Sequence, residues 1–169
     1  SDEEEMRAYS LASYPGEESL LKFTVRIATP PFKGKGIHPR VQWGLGSSYV
    51  FSLKEGDEIE LSGPYGESHM IDDDRELIFL IGGAGASFAR AHILDLFKSK
   101  KTKRKVTLWY GARSIKENIY EEEFRSLDKE NQNFAYHLVL SEPETDDLKN
   151  GWPKDDPIKT GFAFKAFEE

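Results

Sequence analysis

The sequence predicts an α+β chain of two domains, a partial antiparallel β-barrel over residues 1–74 followed by a partial parallel α/β domain over residues 75–169. Three observations predict it. Up to Leu61, short alternating or aromatic-rich runs are separated by turn residues, the pattern of antiparallel strands. Beyond the acidic Asp72-Asp73-Asp74-Arg75 the order becomes apolar run, glycine turn, helix-spaced apolar residues, apolar run, the pattern of strands alternating with helices. A hydrophobic fraction of 38% over 169 residues supports a lean core, somewhat below the average globular chain.

The strands expected in the first domain are residues 20–27, 48–53 and 58–62, punctuated by Pro15-Gly16, Pro30-Pro31, Gly34 and Gly36, Gly56-Asp57 and Gly63-Pro64. Residues 49–53 also suit a short helix, with Ser47 or Ser48 as N-cap and Gly56 as the stop. In the second domain, residues 77–81 form a bounded apolar run of the buried parallel type. Residues 88–98 follow as a helix, with Phe88, Ala91, Ile93, Leu94 and Phe97 at helical spacing. Residues 106–110 are the next strand. A second helix is expected after Ser114, with Glu117 closing a Ser-x-x-Glu capping box, and Glu121-Glu122-Glu123 reads as the first turn of a helix. Residues 136–140 make a third strand. The final stretch is rich in proline, glycine and acid, and only residues 162–167 suggest further order. The parallel strands require right-handed crossovers.

Composition excludes several functions. The chain carries 23 basic and 30 acidic residues, a net charge of −7, which argues against a general nucleic-acid surface because phosphates need clustered positive charge. With no cysteine, these residues hold no disulfide, thiolate metal site or iron–sulfur ligand. The longest apolar run, residues 77–81, is far short of the roughly 18 residues of a membrane span. Ser1-Asp2-Glu3-Glu4-Glu5 has the wrong charge for a secretion signal.

Three groups of residues could carry chemistry. Gly82-Gly83-Ala84-Gly85-Ala86 joins a strand directly to a helix; glycines let the backbone approach a pyrophosphate while the helix's free amides face it. The same composition also suits a tight βα turn, and the spacing is not Gly-x-Gly-x-x-Gly. No Gly-Lys-Ser/Thr follows, which argues against triphosphate hydrolysis. In Arg7-Ala8-Tyr9-Ser10, strand alternation puts Arg7 and Tyr9 on one face, offering a cation for a phosphate and an aromatic for a flat ring, or else an edge arginine and a packing tyrosine. Gly46-Ser47-Ser48 at a helix start can hold an anion or serve as an N-cap.

Together these motifs stand in the order typical of the ferredoxin–NADP reductase superfamily, with Ser62-Gly63-Pro64-Tyr65-Gly66 and Trp109-Tyr110-Gly111-Ala112-Arg113-Ser114 among them. The longer stretches Arg7-Ala8-Tyr9-Ser10-Leu11-Ala12-Ser13-Tyr14-Pro15, Val25-Arg26-Ile27-Ala28-Thr29-Pro30-Pro31 and Tyr110-Gly111-Ala112-Arg113-Ser114 closely resemble the family of F subunits of sodium-translocating NADH:quinone reductases. The resemblance runs from about Glu5 to about Pro143. It implies that Arg7 pairs with an FAD pyrophosphate, Tyr9 packs on the flavin and Ser10 bonds near flavin N5, making Ser10 and Tyr9 the catalytic pair. It implies that Val25, Arg26 and Ile27 line the flavin or its ribityl chain and that Gly46, Ser47 and Ser48 hold the pyrophosphate. Gly82, Gly83 and Gly85 would form the floor for NADH, with Tyr110 and Arg113 near its adenosine half.

The activity implied is hydride transfer from NADH to FAD, with electrons passing to a [2Fe–2S] centre in an absent N-terminal domain and on to quinone. The implied partners are the other subunits of a membrane respiratory complex, and the implied location of this chain is the cytoplasmic side of the bacterial inner membrane, as a peripheral domain. Membrane contact would run only through segments absent here. Two alternatives stay open: the reductase component of an oxygenase, and a non-catalytic flavin- or nucleotide-binding module.

Departures from the resemblance are also visible. Phe88 stands where relatives usually carry proline, and the superfamily's late Cys-Gly-Pro segment and C-terminal aromatic have no counterpart. The barrel strands that normally precede Arg-x-Tyr-Ser are missing. The chain is therefore expected to be an excerpt lacking the C-terminal part of its second domain, and residues 36–43 are suspected of joining segments not adjacent in the natural chain. Asp72-Asp73-Asp74 is expected to be a solvated linker and not a metal site, and the basic residues 98–105 a solvated helix end. An arginine fork such as that of Arg113 matches a 2′-phosphate, whereas the resemblance favours NADH.

Overall fold

The computed structural model describes residues 6–27, 44–153 and 158–168. Ser1 to Glu5, the motif residues Ala28-Thr29-Pro30-Pro31, the turn at Gly34 and Gly36, and residues 36–43 lie outside the described residues. The chain forms two compact units, one of Ser1–Tyr9 with Thr24–Met70, the other of Ser10–Phe23 with Ile71–Glu169. Residues 10–23, on the first-domain side of the expected boundary, group with the second unit.

In the first unit the regular element among the described residues is helix α1, Leu45–Ser52. The strand expected at 48–53 is thus a helix, by the alternative route the sequence allows, although Gly44 and not a serine is its N-cap. Tyr49 and Phe51 are more than half exposed, so their β propensity meets no neighbouring strand that would reward it. Residues 58–62 form no strand either. The antiparallel pairing expected near residues 20–27 is represented by a bridge between Leu11 and Phe23, inside the second unit.

The second unit is built on a parallel sheet in the order β1-β2-β3, with β1 Leu77–Gly82, β2 Val106–Ala112 and β3 Phe134–Leu140. Leu77 pairs with Val106 and Val106 with Phe134, and the register runs on without a break to Gly82–Gly111 and Ala112–Leu140. Strand β2 alternates strictly, with Val106, Leu108, Tyr110 and Ala112 buried. Helix α2, Ala86–Leu94, and a π turn over Asp95–Ser99 bring Ile93, Leu94 and Phe97 into the core. Helix α3, Glu121–Glu130, brings Phe124 and Leu127. Ring contacts join the layers: Phe97 meets Phe134 at 5.3 Å and Phe124 meets Tyr136 at 5.6 Å, separations at which edge-to-face and tilted pairs are favourable.

The capping box expected at Ser114 does not form. Ser114 makes no side-chain cap, residues Ile115–Glu117 are a single 3₁₀ turn, and Glu117 instead binds Arg113. Helix α3 starts later, at the acidic run where a first turn was expected, after Tyr120 in the left-handed region at φ 62°. A short helix α4, Thr145–Lys149, and helix α5, Ala163–Glu168, complete the unit. Ala163 and Ala166 of α5 pack with Val139, and Trp109 lies against them. A Cβ at Gly111 would stand 3.3 Å from that of Ala163, so the glycine lets α5 approach β2.

The acidic and basic runs are largely exposed, as expected, with Asp73 and Arg104 partly buried where they meet. Asp73 accepts from the backbone and side chain of Arg75 and pairs with Arg104 at 2.8 Å. Arg104 also donates to the carbonyls of Ile71 and Arg75, pinning the stretch before β1 beside the start of β2.

Candidate cofactor-binding sites

In the first unit, Arg7, Tyr9 and Gly46 come together at the N-terminus of α1. A Cβ built on Gly46 would lie 2.9 Å from Arg7 Cγ and 2.9 Å from the Tyr9 hydroxyl, closer than real Cβ contacts, so glycine is what lets these two side chains rest on the helix start. Arg7 is exposed and donates to the Met6 carbonyl, and Tyr9 is 37% exposed. Ser47 is buried and donates to the Gly44 carbonyl. Ser48 carries a buried hydroxyl with no hydrogen-bond partner among the described residues, a group that costs free energy until a partner arrives. No acidic residue lies in the first turn of α1, so its positive end is not neutralised. A cation, an aromatic ring, a helix N-terminus and an unpartnered hydroxyl fit the pyrophosphate and ring of a flavin nucleotide. Val25 and Ile27 are half-buried and Arg26 between them is exposed, the alternation of a strand-like stretch.

In the second unit, Gly82, Gly83 and Gly85 are exposed at the carboxyl end of β1, where they turn the chain into α2. The carboxyl end of a parallel sheet is where such folds bind nucleotides. Gly83 has φ 50° with open space around its missing Cβ, a conformation glycine adopts without steric cost. The first turn of α2 has no acidic residue, and Ser87 in that turn has a buried hydroxyl without a partner among the described residues. These features fit an anionic nucleotide laid across the turn. Ser10 also belongs to this unit and is exposed.

Tyr110 is fully buried. Its hydroxyl donates to the Gly83 carbonyl at 3.2 Å and accepts from the Ile119 amide at 3.4 Å, and burial pushes its pKa up. It presents no surface to an adenosine; it braces the glycine turn from beneath. Arg113 is exposed, but its guanidinium is engaged by Glu117, with Nε donating at 2.9 Å and Nη2 making a second bond. That carboxylate raises the Arg113 pKa, and Glu142 adds to the effect. A fork already filled by a carboxylate is a poor receptor for a 2′-phosphate.

Sequence reasoning missed Arg90. It is 4% exposed on α2 and engages every branch of its guanidinium: Nη1 donates to the Ala12 carbonyl at 2.6 Å and Glu17 at 2.8 Å, Nη2 to Glu17 at 2.8 Å and Glu123 at 3.0 Å, and Nε to Glu123 at 2.5 Å. Its guanidinium also lies 5.1 Å from the centre of the Tyr120 ring. The available signal was a charged residue one helical step from Ala86 and Leu94, on a face otherwise apolar.

Comparison with known proteins agrees with both halves. A family model for an oxidoreductase FAD-binding domain matches residues 1–70, and one for an oxidoreductase NAD-binding domain matches residues 79–162. The F subunit of the Na(+)-translocating NADH-quinone reductase of Chlamydia muridarum is 64% identical over 162 residues, covering 96% of this chain and 38% of the relative. That of Serratia proteamaculans is 47% identical, covering 99% of this chain and 39% of the relative. The chain thus spans about two fifths of the length of these relatives. Among solved structures, the cytochrome b5 reductase domain of Ulva prolifera nitrate reductase superposes with a TM-score of 0.72 at 19% identity, over 96% of this chain and 62% of that one. A ferredoxin–NADP+ reductase from Plasmodium falciparum gives 0.66 at 23% identity, over 80% and 51%. The fold is therefore ferredoxin–NADP reductase-like.

Proposed function

Because this chain belongs to the family of F subunits of Na(+)-translocating NADH-quinone reductases, as its FAD- and NAD-binding region, we propose that it takes a hydride from NADH onto FAD and passes the electrons onward. The observation that carries this is the meeting of Arg7 and Tyr9 over the N-terminus of α1 at Gly46, beside the unpartnered Ser48 hydroxyl. When bound, FAD supplies the redox chemistry, accepting two electrons as hydride and releasing them singly.

The chain's own residues bind and orient. Arg7 neutralises pyrophosphate charge, the amides and hydroxyls of Gly46, Ser47 and Ser48 complete the anion site, and Tyr9 packs against the flavin. Val25, Arg26 and Ile27 line the flavin or its ribityl chain. Ser10 offers a hydroxyl to flavin N5. Gly82, Gly83 and Gly85 admit the NADH pyrophosphate to the start of α2, with Tyr110 holding the turn and Arg113, tied to Glu117, at the adenosine end. No general base is required, so orientation is the protein's main contribution to rate.

This reading puts the chain on the cytoplasmic side of the bacterial inner membrane, as part of a multi-subunit membrane complex in which the electrons go on to a [2Fe–2S] centre and to quinone. No helix among the described residues is long and apolar enough to cross a membrane. Mixing NADH anaerobically with the FAD-loaded protein tests the proposal: bleaching of the yellow flavin absorbance is expected, and nucleotide binding without bleaching would instead indicate a non-catalytic module.

A further inference from the structure

We propose that Arg90 is a positioning residue for hydride transfer: it clamps residues 10–23 onto α2 and α3, and so fixes Ser10 relative to the glycine turn that opens α2. The inference rests on the NADH-to-FAD function proposed above and adds to it a residue outside the cofactor motifs.

A guanidinium removed from water is stable only when its charge and its donors are matched. Arg90 meets that condition with two carboxylates and one carbonyl, drawn from α3 and from the loop over residues 10–23. Glu123 belongs to α3, Glu17 to the loop after the Arg-x-Tyr-Ser motif, and the carbonyl to Ala12, two residues after Ser10. The loop is itself held in shape. Glu17 accepts from Lys22 at 2.5 Å and from the Tyr14 amide at 3.2 Å. Ala12 donates to the Lys22 carbonyl at 2.8 Å, and Lys22 donates to the Ser13 hydroxyl at 3.1 Å. Ala12 is fully buried.

The mechanical path is short at both ends. Two peptide units separate Ser10 from Ala12, at most about 7 Å of chain. Five residue steps along the start of α2 separate Gly85 from Arg90, about 7.5 Å of rise. Between them stands a fork fixed in its plane by five hydrogen bonds. Displacing the loop by an ångström breaks several of these at once. Hydride transfer is sensitive to errors of that size, so a clamp that restrains the loop carrying Ser10 acts on rate more than on affinity.

The test compares Glu17→Gln with Glu123→Gln, and keeps Arg90 in both so that the buried guanidinium retains one carboxylate and the protein folds. Three quantities are read: the rate of flavin bleaching by NADH in stopped flow, the NADH dissociation constant, and hydrogen–deuterium exchange of the amides of residues 11–23 in FAD-loaded and FAD-free protein. Glu17→Gln is expected to slow bleaching about tenfold, leave NADH affinity within about twofold, and speed exchange at residues 11–13. Glu123→Gln, which removes bonds to the same guanidinium but none to the loop, is expected to stay close to wild type in all three. Equal losses in both variants would mark general stabilisation and overturn the inference, as would a Glu17→Gln protein with wild-type bleaching or wild-type exchange. A wild-type protein that NADH does not bleach would overturn the proposed function itself, and the clamp's role in transfer with it. Bleaching that is indifferent to Glu17 would overturn the clamp alone.

Discussion

A methyl group at position 46 has nowhere to go without moving Arg7 and Tyr9, since its carbon would lie 2.9 Å from each. Both side chains are exposed, so little folding stability is at stake. Gly46→Ala is therefore expected to weaken FAD binding about tenfold while leaving the melting temperature nearly unchanged, as fluorescence titration and calorimetry would show. Ser10→Ala is expected to slow flavin reduction by NADH with little loss of FAD, and unchanged single-turnover reduction would reject the N5 role. At the end proposed for the adenosine, Glu117 occupies the Arg113 fork. Glu117→Gln is expected to free it and improve NADPH relative to NADH, read as a change in the ratio of kcat/KM for the two nucleotides. Each motif alone also suits a turn, an N-cap or an edge strand, so the sequence grouped Arg7, Tyr9 and Gly46 only through the family resemblance; the structure brings these three together. Arg90 was not legible, because its Glu17 partner lies 73 residues away and nothing local announces a long-range ion pair.

At the scale of elements, the three parallel strands were legible from their apolar runs, and each extends to a neighbour over six or seven residues in register. The N-terminal pieces were harder because alternation encodes a strand only if a second strand is there to pair with it. Around Ser114, a capping box and an Arg113–Glu117 pair compete for one carboxylate, and the ion pair wins. Helix α4 hides in an acidic, proline-bearing stretch, where the buried Asp147 carboxylate accepts from the amides of Glu144 and Ile115. The loop over residues 10–23 carries a pH signature of its tie to α2. Hydrogen bonds from Arg90 bring the Glu17 pKa down from 4.5 to about 2, with burial opposing and Lys22 assisting. A lowered folded-state value means stabilisation that is complete above the unfolded pKa and is lost as pH falls from about 4.5 toward 2. Glu17→Gln is expected to melt below wild type at neutral pH, with the difference closing across that acid window. The core below is conventional: Phe124, fully buried against Tyr136, is expected to cost about 3–5 kcal/mol when cut to alanine, seen in the denaturation midpoint.

For the whole molecule, each unit presents a helix N-terminus without acidic residues, a glycine that admits something close, and a buried serine hydroxyl still lacking a partner among the described residues. Matching family models for an FAD-binding and an NAD-binding oxidoreductase domain fall on the two halves in that order. The function proposed for this chain is hydride transfer from NADH to FAD. Its most direct measurement is anaerobic stopped-flow mixing of the FAD-loaded protein with NADH, protiated and then deuterated at nicotinamide C4. The flavin band is expected to bleach, and more slowly with the deuterated nucleotide; a band that survives excess NADH, or bleaches at a rate set by neither isotope nor NADH concentration, would contradict hydride transfer between them.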